Sequence, residues 1–308
     1  VCGDADSERA PTGVGCRGKD VVPGWQRTLY ILFCAQLLSA VGFSMIFPFL
    51  PGFVAHLGSS LGLGVVVLAG AAFSAQAATM AVASPVWGAL ADRFGKKLMV
   101  QRAMFGGALV VLLMGFSSSA EMLVVLRAIQ GLVTGTVAAT NALVAATAPR
   151  ARTGYAMGVL QVGLWSGVAL GPLLGGVMAD ALGYRMAFFV TAALLAAGGL
   201  LVQFGVAEGA GKPRPGRPKR GLLGAWRRVL AAPGIALVLL LRFLGWLGRN
   251  MLVPYLPLYV ATLLARQDAL NTLTGLTIGL ASGAGTISAL VLGRLSDRVG
   301  QRRVLLAC

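Results

Sequence analysis

Eight apolar stretches, each close to the ~20 residues that cross a bilayer, constrain the fold of this chain more than any other feature. They are called spans one to eight and cover residues 28–51, 63–91, 98–117, 122–148, 155–180, 186–206, 233–261 and 272–293. The chain is 57% hydrophobic and only 12% charged, whereas a soluble domain of this size carries about 25% charged residues. Abundant Gly and Ala suit closely packed helices and not the alternating strands of a barrel. The sequence therefore predicts an all-α integral membrane protein.

Basic residues are distributed unevenly along the chain, and their distribution predicts its orientation. Most of the 26 Lys and Arg residues lie in the N-terminal tail, in the connections that follow spans two, four and six, or after span eight. The connections that follow spans one, three, five and seven hold only Arg185 and Arg266. This positive-inside bias predicts a multi-pass protein of the inner membrane with a cytoplasmic N-terminus. The net charge of +16 is thus explained by topology, and we expect no nucleic-acid partner.

Two unlike sequence patterns recur at almost the same offset. Residues 88–97, GALADRFGKK, return 205 residues later at 293–302 as GRLSDRVGQR. Residues 42–51, GFSMIFPFLP, return 206 residues later at 248–257 as GRNMLVPYLP. Chance rarely keeps one offset across two patterns, so the chain is predicted to be a duplicated membrane unit, an arrangement typical of transporters.

The duplication divides the chain into four predicted regions. Residues 1–26 form a disordered cytoplasmic tail, 27–206 a six-helix N-terminal bundle, 207–232 a basic cytoplasmic linker, and 233–308 a partial C-terminal bundle with spans seven and eight and the start of a ninth. By the same symmetry, about four further helices are expected after span eight. We therefore interpret the chain as a fragment or truncated product of a twelve-helix protein.

Three motifs resemble those of the major facilitator superfamily. Residues 88–97 fit its consensus Gly-x-x-x-Asp-Arg-x-Gly-Arg/Lys-Arg/Lys completely, and the second copy departs only at Gln301. Residues 167–176 fit the pattern Gly-x-x-x-Gly-Pro-x-x-Gly-Gly of the twelve-helix bacterial drug:proton antiporters, and span four carries the intramembrane arginine motif at Arg127. The resemblance implies a major-facilitator-type bundle that exports amphiphilic drugs or toxic compounds, coupled to proton entry by alternating access.

The repeated motif supplies a candidate gate at the cytoplasmic surface. A carboxylate that faces the N-terminal end of another helix is stabilising by roughly 0.3–2 kcal/mol. We expect Asp92 and Asp297 to hold the cytoplasmic ends together in this way; the resemblance gives Asp92 a partner in an eleventh helix, and symmetry gives Asp297 the start of span five near Gly154. A solvated turn with surface bases is the alternative. The residues assigned to this gate are Gly88, Asp92, Arg93, Gly95, Lys96, Lys97, Gly293, Asp297, Arg298 and Gly300.

Arg127 lies about two turns inside span four, where an ionisable group is costly and marks a functional candidate. The alternative is a guanidinium that reaches the outer interface. The residues assigned to the cavity or to coupling are Arg127, Gln130, Gly131, Arg249, Asn141 and Gln36. No Asp or Glu lies in the middle of a span, so the sequence does not identify the residue that carries the coupling proton. Asp92 is one alternative, through a rearrangement with Arg127, and residues in further helices are the other.

Glycines recur every four residues on one face of span five and again in span eight. Lipid supplies little hydrophobic drive for helix pairing, so close contact depends on small residues. We predict that spans five and eight pack against each other across the two halves, with ordinary membrane packing as the alternative. The residues assigned to this contact are Gly167, Gly171, Pro172, Gly175, Gly176, Gly275, Gly279 and Gly283.

Several function classes compete with drug export. A carrier of one polar metabolite, such as a sugar, would need several polar groups aimed into the cavity, and span one offers only Gln36, Ser39 and Ser44. An intramembrane enzyme would need a catalytic constellation in the spans; we find none, and expect no enzymatic activity, metal or cofactor. A non-transporting fragment is the last alternative. The expected partners are small amphiphilic molecules, protons and the bilayer, and we expect a monomer.

Overall fold

The computed structural model describes residues 24–149, 152–207, 235–252, 255–263 and 270–299. Within these ranges the chain forms eleven α-helices and no β-strand. The helices are α1 (Trp25–Met45), α2 (Leu50–Leu57), α3 (Val65–Phe94), α4 (Lys96–Gly115), α5 (Ala120–Val133), α6 (Thr136–Thr147), α7 (Thr153–Leu182), α8 (Tyr184–Gly205), α9 (Ile235–Leu252), α10 (Leu256–Leu263) and α11 (Leu270–Val299).

The long apolar helices confirm a membrane-spanning architecture. In the described ranges, six helices are long and apolar enough to cross a bilayer when α5 and α6 are taken together, and they correspond to spans one to six. Spans seven and eight are helical as α9 with α10 and as α11. Spans one, four and seven each form two helices with an interruption between them. Pro51 lies in the first turn of α2, where its missing N–H is tolerated, and the break in span four falls at Gly135.

The duplication read from the sequence is visible in the helix boundaries. The helices α3 and α11 each have 30 residues, and both ends of α11 lie 205 residues after those of α3. The short helices α2 and α10 each have 8 residues and are offset by 206. The two repeated sequence patterns therefore have the same offsets, 205 and 206 residues, as two pairs of repeated helices.

The helix α1 is central to the described bundle. It packs against α7, α8 and α6, while α3 packs on α5, α4 on α8, and α7 on α11. One buried apolar cluster includes Phe49, Phe53 and Phe188, and a second includes Leu32 and Met104. The end of the bundle that holds the first cluster and the α7–α8 turn is predicted to face outside and is called the outer end.

Some predicted regions lie outside the described residues. These are nearly all of the tail over residues 1–26, the linker over residues 207–232 after its first residue, and the start of a ninth span within residues 233–308. Their division of the chain remains a prediction.

Candidate functional site

The first copy of the repeated motif is mostly helical. The helix α3 continues through Asp92 and Arg93 to Phe94, and α4 begins at Lys96. Gly95 alone joins them, with a φ of 100° that suits a residue without a Cβ. The Asp92 side chain is exposed and makes no hydrogen bond or ion pair within the described ranges. The expected gate contact of Asp92 therefore remains a prediction.

Lys97, the last residue of the motif, connects α4 to the end of α8 through two hydrogen bonds. Its Nζ donates hydrogen bonds to the carbonyl oxygens of Gln203 at 3.0 Å and Val206 at 2.7 Å. These carbonyls lack partners within α8, and a cation at a helix C-terminus is favourable for that reason. This motif residue thus stabilises packing inside the first half, at the point where the chain leaves α8.

The second copy of the motif ends its helix at the same position as the first. The helix α11 includes Gly293, Asp297 and Arg298 and ends at Val299, as α3 ends at Phe94. The side chains of Asp297 and Arg298, and all of Gly300, lie outside the described part, as does the side chain of Arg249 in α9.

Arg127 lies in a buried polar cluster, called the Arg127 cluster, with Gln76 and Gln130. Its side chain is 1% exposed, and Nη1 donates to Gln76 Oε1 at 2.8 Å and to Gln130 Oε1 at 3.1 Å. Arg127 Nε and Nη2 and Gln130 Nε2 are buried without a hydrogen-bond partner. A guanidinium that reached the outer interface would be exposed, so the alternative of a snorkelling arginine does not fit. The cluster presents several N–H donors that could receive an acceptor group.

The helix that carries Arg127 is held very close to α3. A Cβ at Gly131 would lie 2.1 Å from Thr79 Oγ1 and 2.2 Å from the Gln76 carbonyl oxygen, so only glycine fits. Thr79 Oγ1 also donates to the Ala128 carbonyl oxygen at 2.8 Å. This close approach places Gln76 within hydrogen-bond distance of Arg127.

The break in span four exposes backbone carbonyls that two side chains satisfy. Arg102 Nη1 donates to the Val133 carbonyl oxygen at 2.6 Å, and Trp87 Nε1 donates to that of Leu132, also at 2.6 Å. The Arg102 guanidinium stacks on the Trp87 ring, with Cζ 3.4 Å from the ring centroid. The carbonyl oxygens in the last turn of a helix have no partner within that helix, and few other donors are available inside a membrane bundle. Arg102 and Trp87 therefore fix the end of α5, two turns from Arg127.

Gln36 lies in a separate buried polar group between α1 and α6. Its Oε1 accepts a hydrogen bond from Thr140 Oγ1 at 2.9 Å, while Ser39 Oγ and Thr136 Oγ1 are buried without partners. Asn141 is only partly buried and makes no hydrogen bond within the described ranges. The structure thus joins Arg127, Gln130 and Gly131 at one site but places Gln36 and Asn141 elsewhere.

Three glycines of α7, Gly167, Gly171 and Gly175, face α1, whereas they were predicted to contact span eight. A Cβ at Gly167 would lie 2.5 Å from Ala40 Cβ, and one at Gly171 would lie 1.8 Å from Ser44 Oγ. At Gly175 it would lie 2.0 Å from the Met45 carbonyl oxygen. These glycines therefore bring together two helices of the same half. The spacing indicated a close contact, but the partner of these three glycines is α1 and not span eight.

The helices α7 and α11 do pack together, through a different face of α7. A Cβ at Gly275 would lie 2.1 Å from the Pro172 carbonyl oxygen, and one at Gly279 would lie 2.8 Å from that of Ala169. A Cβ at Gly176 would lie 2.1 Å from the Asn271 carbonyl oxygen. Gly283, one turn further along α11, has no such neighbour within 4 Å. This contact, called the seam, is therefore tight toward the outer end of the bundle.

Sequence reasoning missed Gln76, Trp87 and Arg102 as parts of the polar site. Gln76 was the clearest signal available, because it is an amide in the apolar span two. Trp87 and Arg102 lie near the cytoplasmic ends of spans two and three, where such residues commonly mark the interface. Their role depends on the break in span four, and that span contains no proline that would have predicted a break.

Comparison with known proteins identifies relatives of this chain. Residues 32–308 match the Major Facilitator Superfamily. The chain is 36% identical over 292 residues to "Multidrug resistance protein MdtG" of Enterobacter lignolyticus (strain SCF1), covering 94% of this chain and 69% of that protein. It is 35% identical over 285 residues to the protein of the same name from Proteus mirabilis (strain HI4320), covering 92% of this chain and 70% of that one.

Solved structures share the fold at low sequence identity. A bacterial homolog of the human lysosomal transporter Spinster matches with a TM-score of 0.70 and 15% identity, covering 92% of this chain and 64% of that one. The nucleoside transporter NupG matches with a TM-score of 0.62 and 14% identity, covering 88% of this chain and 68% of that one. The chain thus spans less than two thirds of the Spinster homolog's length.

Proposed function

Since this chain, a multi-pass membrane protein, belongs to the Major Facilitator Superfamily, we propose that it works in the export of amphiphilic drugs or toxic compounds across the bacterial inner membrane, in exchange for protons. The multidrug resistance proteins that it resembles at 35–36% identity support this substrate class. The observation that carries the proposal is the Arg127 cluster, a buried cation in the interior of a membrane bundle.

The Arg127 cluster is expensive to maintain, which favours a functional role. Burying a charge without a carboxylate partner costs several kcal/mol, and within the described ranges only amide oxygens accept from Arg127. Three buried N–H-bearing atoms of Arg127 and Gln130 have no partner. The cluster is therefore suited to receive an acceptor group, from a substrate or from another part of the protein, during the transport cycle. The coupling proton is carried by a group outside the cluster, since the cluster contains no carboxylate.

The composition of span one supports varied apolar substrates over one polar metabolite. Phe43 and Phe47 are partly buried, and the Phe47 ring lies 5.9 Å from that of Phe73 in α3. Gln36, which a polar carrier would need free, is hydrogen-bonded to Thr140 inside the bundle. Deformable apolar and aromatic surfaces accept many substrates, whereas selective sites need free polar groups.

The proposed organisation follows the duplication. Residues 27–206 form the first half of the transporter, residues 207–232 a cytoplasmic linker, and residues 233–308 the start of the second half. The positive-inside bias supports a cytoplasmic N-terminus. The protein acts as a monomer, with the two halves forming the transport path between them.

Dye efflux from cells tests the role of Arg127 in export. The protein and its Arg127→Lys variant are expressed in a bacterium that lacks its own efflux pumps, and ethidium efflux is followed by fluorescence. Lysine keeps the charge but cannot reproduce the planar five-donor guanidinium, so we expect the efflux rate to fall about ten-fold or more. Arg185→Lys is the matched control, because Arg185 is exposed at the outer end and should tolerate the change.

Two results would contradict the proposal. If the wild-type protein fails to lower ethidium accumulation although it is present in the membrane, drug export is refuted. If Arg127→Lys exports at the rate of Arg185→Lys, the cluster has only a structural role. Proton coupling is tested separately in wild-type cells: nigericin, which collapses the pH gradient, should slow efflux, and unchanged efflux would refute exchange with protons.

A further inference from the structure

A carboxylate at the end of α7 accepts three hydrogen bonds from the start of α11. Asp180 Oδ1 accepts from Asn271 Nδ2 at 2.7 Å, and Asp180 Oδ2 accepts from the Thr272 backbone N–H and from Thr272 Oγ1, each at 2.7 Å. Asn271 is 5% exposed. These contacts, called the Asp180 bridge, connect the first half of the chain to the second at the outer end of the bundle.

The electrostatics of the two helices favour this arrangement. The first N–H groups of α11 lack partners within the helix, and the positive end of its dipole lies there. An ionised carboxylate accepts hydrogen bonds only and forms short, strong ones with such donors. At the C-terminal end of its own helix, by contrast, Asp180 meets the negative end of the α7 dipole. Asp180 is therefore stabilised by α11 and destabilised by α7, so its favourable interactions depend on the halves being in contact.

The backbone of the seam is tightest beside the Asp180 bridge. Gly176 lies one turn before Asp180, and a Cβ there would lie 2.1 Å from the Asn271 carbonyl oxygen. Further along the seam, Gly283 has no neighbour within 4 Å of such a Cβ. The bridge thus lies where the two halves are already in backbone contact.

We propose that Asp180 holds the outer ends of the two halves together, and that the Asp180 bridge breaks when the transport path opens to the outside. This proposal rests on the proposed transport function, because only alternating access requires the outer ends to separate. Asp180 acts here as a positioning residue: it sets the balance between outward-closed and outward-open states and does not contact the substrate.

The chain offers a matched control at the same end of the bundle. Glu121 Oε1 accepts from Ser59 Oγ at 2.7 Å and from the Leu61 N–H at 3.2 Å. Both donors lie in the connection between α2 and α3, within the same half as Glu121. Neutralising Glu121 therefore removes the charge of one outer carboxylate without affecting the seam.

Electron–electron distance measurements test the proposal directly. Spin labels are attached through Met186→Cys in α8 and Leu273→Cys in α11, two exposed positions in different halves, after serine replaces the four cysteines of this sequence. Asp180→Asn keeps the shape and removes the charge. We expect it to raise the population ratio of long to short label distances on the order of ten-fold, as loss of hydrogen bonds to a charged group implies. Glu121→Gln should leave this ratio within about two-fold of wild type.

A second set of variants guards against a trivial loss of folding. Asn271→Ala with Thr272→Val removes two donors of the Asp180 bridge from the other helix and should raise the long-distance population in the same direction. When these two substitutions are combined with Asp180→Asn, the population ratio of long to short distances should rise by clearly less than the product of the two separate effects. The reason is that all three residues take part in one interaction. Independent, multiplying effects would show that the bridge is not the unit that holds the ends together.

The measurement also separates this proposal from the proposed function. It uses purified protein with no drug and no proton gradient, so a protein that fails to export ethidium can still show the expected distances. If Asp180→Asn leaves the distance distribution unchanged, or changes it no more than Glu121→Gln, the bridge proposal is overturned even where export is intact.

Discussion

Replacing Gly175 by alanine tests how closely α7 must approach α1. A Cβ at this position would lie 2.0 Å from the Met45 carbonyl oxygen and 2.7 Å from Met45 Cα. Ordinary carbon–oxygen contacts lie at about 3.3 Å or more, so the two helices must separate locally by roughly 1.3 Å. The obstructing atoms belong to the backbone, and no rotamer change can relieve the clash.

The magnitude follows from two opposing terms. Overpacking a close contact costs about 1–3 kcal/mol, while alanine gains roughly 0.5–1 kcal/mol over glycine in a helix interior. We therefore expect Gly175→Ala to lower the free energy of unfolding by about 0.5–2 kcal/mol. Gly158, on the same helix, has no neighbour within 4 Å of an added Cβ. Gly158→Ala should therefore raise the free energy of unfolding by roughly 0.5–1 kcal/mol, because alanine favours the helix more than glycine and causes no overpacking there.

Thermal unfolding of the purified variants in detergent measures the difference in sign. At roughly 2–4 °C for each kcal/mol, Gly175→Ala should melt a few degrees below wild type and Gly158→Ala slightly above it. If Gly175→Ala melts at the temperature of Gly158→Ala or higher, the backbone approach of α7 to α1 does not limit stability, and the reasoning is refuted.

Gly171 extends the test, because its nearest neighbour is a side chain. An added Cβ there would lie 1.8 Å from Ser44 Oγ and 2.6 Å from the Val41 carbonyl oxygen. Ser44→Ala should therefore partly restore the melting temperature of Gly171→Ala, whereas it should not restore that of Gly175→Ala. Equal rescue of both would show that the distances at the two glycines do not determine their sensitivity.

Two further predictions concern the cytoplasmic gate and the break in span four. Asp92→Asn should shift the protein toward its inward-open state by about five- to thirty-fold, because it removes the charge of a carboxylate expected to face another helix end. Cysteine accessibility from the two sides of the membrane measures this shift, and unchanged accessibility would contradict it. Trp87→Phe should lower the free energy of unfolding by about 1 kcal/mol, because it removes the N–H donor to the Leu132 carbonyl oxygen while keeping an aromatic ring. Trp165→Phe is its control, since Trp165 makes no hydrogen bond within the described ranges; equal losses in both would show that the donor is unimportant.

The repeated elements of the fold could be predicted from the sequence, because each sequence pattern lies within or beside the helix that it indicates. Each repeat of the proline-rich pattern corresponds to a short helix, α2 or α10, that follows an interruption. The break between α5 and α6 has no such signal. It depends on Gly135, with a φ of 135°, and on carbonyl partners Arg102 and Trp87 from other helices. Tertiary contacts of this kind are invisible to a reading of one segment.

The candidate site was predictable in part. The cost of a charge at membrane depth drew attention to Arg127, but its hydrogen-bond partner Gln76 lies 51 residues away and could not be assigned from spacing. The glycine spacing of α7 indicated close packing, yet two faces of that helix carry glycines and each meets a different neighbour. No role was predicted for Asp180, because it lies at the end of span five and not in the middle of a span. An Asp at the end of span five and the sequence Asn271-Thr272 at the start of span eight were the signals that would have suggested their contact.

The position of the tight contact between Pro172 and Gly275 has a mechanical consequence. Pro172 lies nineteen residues from Thr153, the first residue of α7, which is about 28 Å of helix. Backbone atoms in contact cannot be compressed as side chains can, so we expect this point to be the pivot of a rotation between α7 and α11. A rotation of about 15° around it would displace the far end of α7 by roughly 7 Å, while the contact itself would barely move. Because glycines hold α7 at backbone distance from α1, we expect α1 and the helices packed on it to turn together with α7.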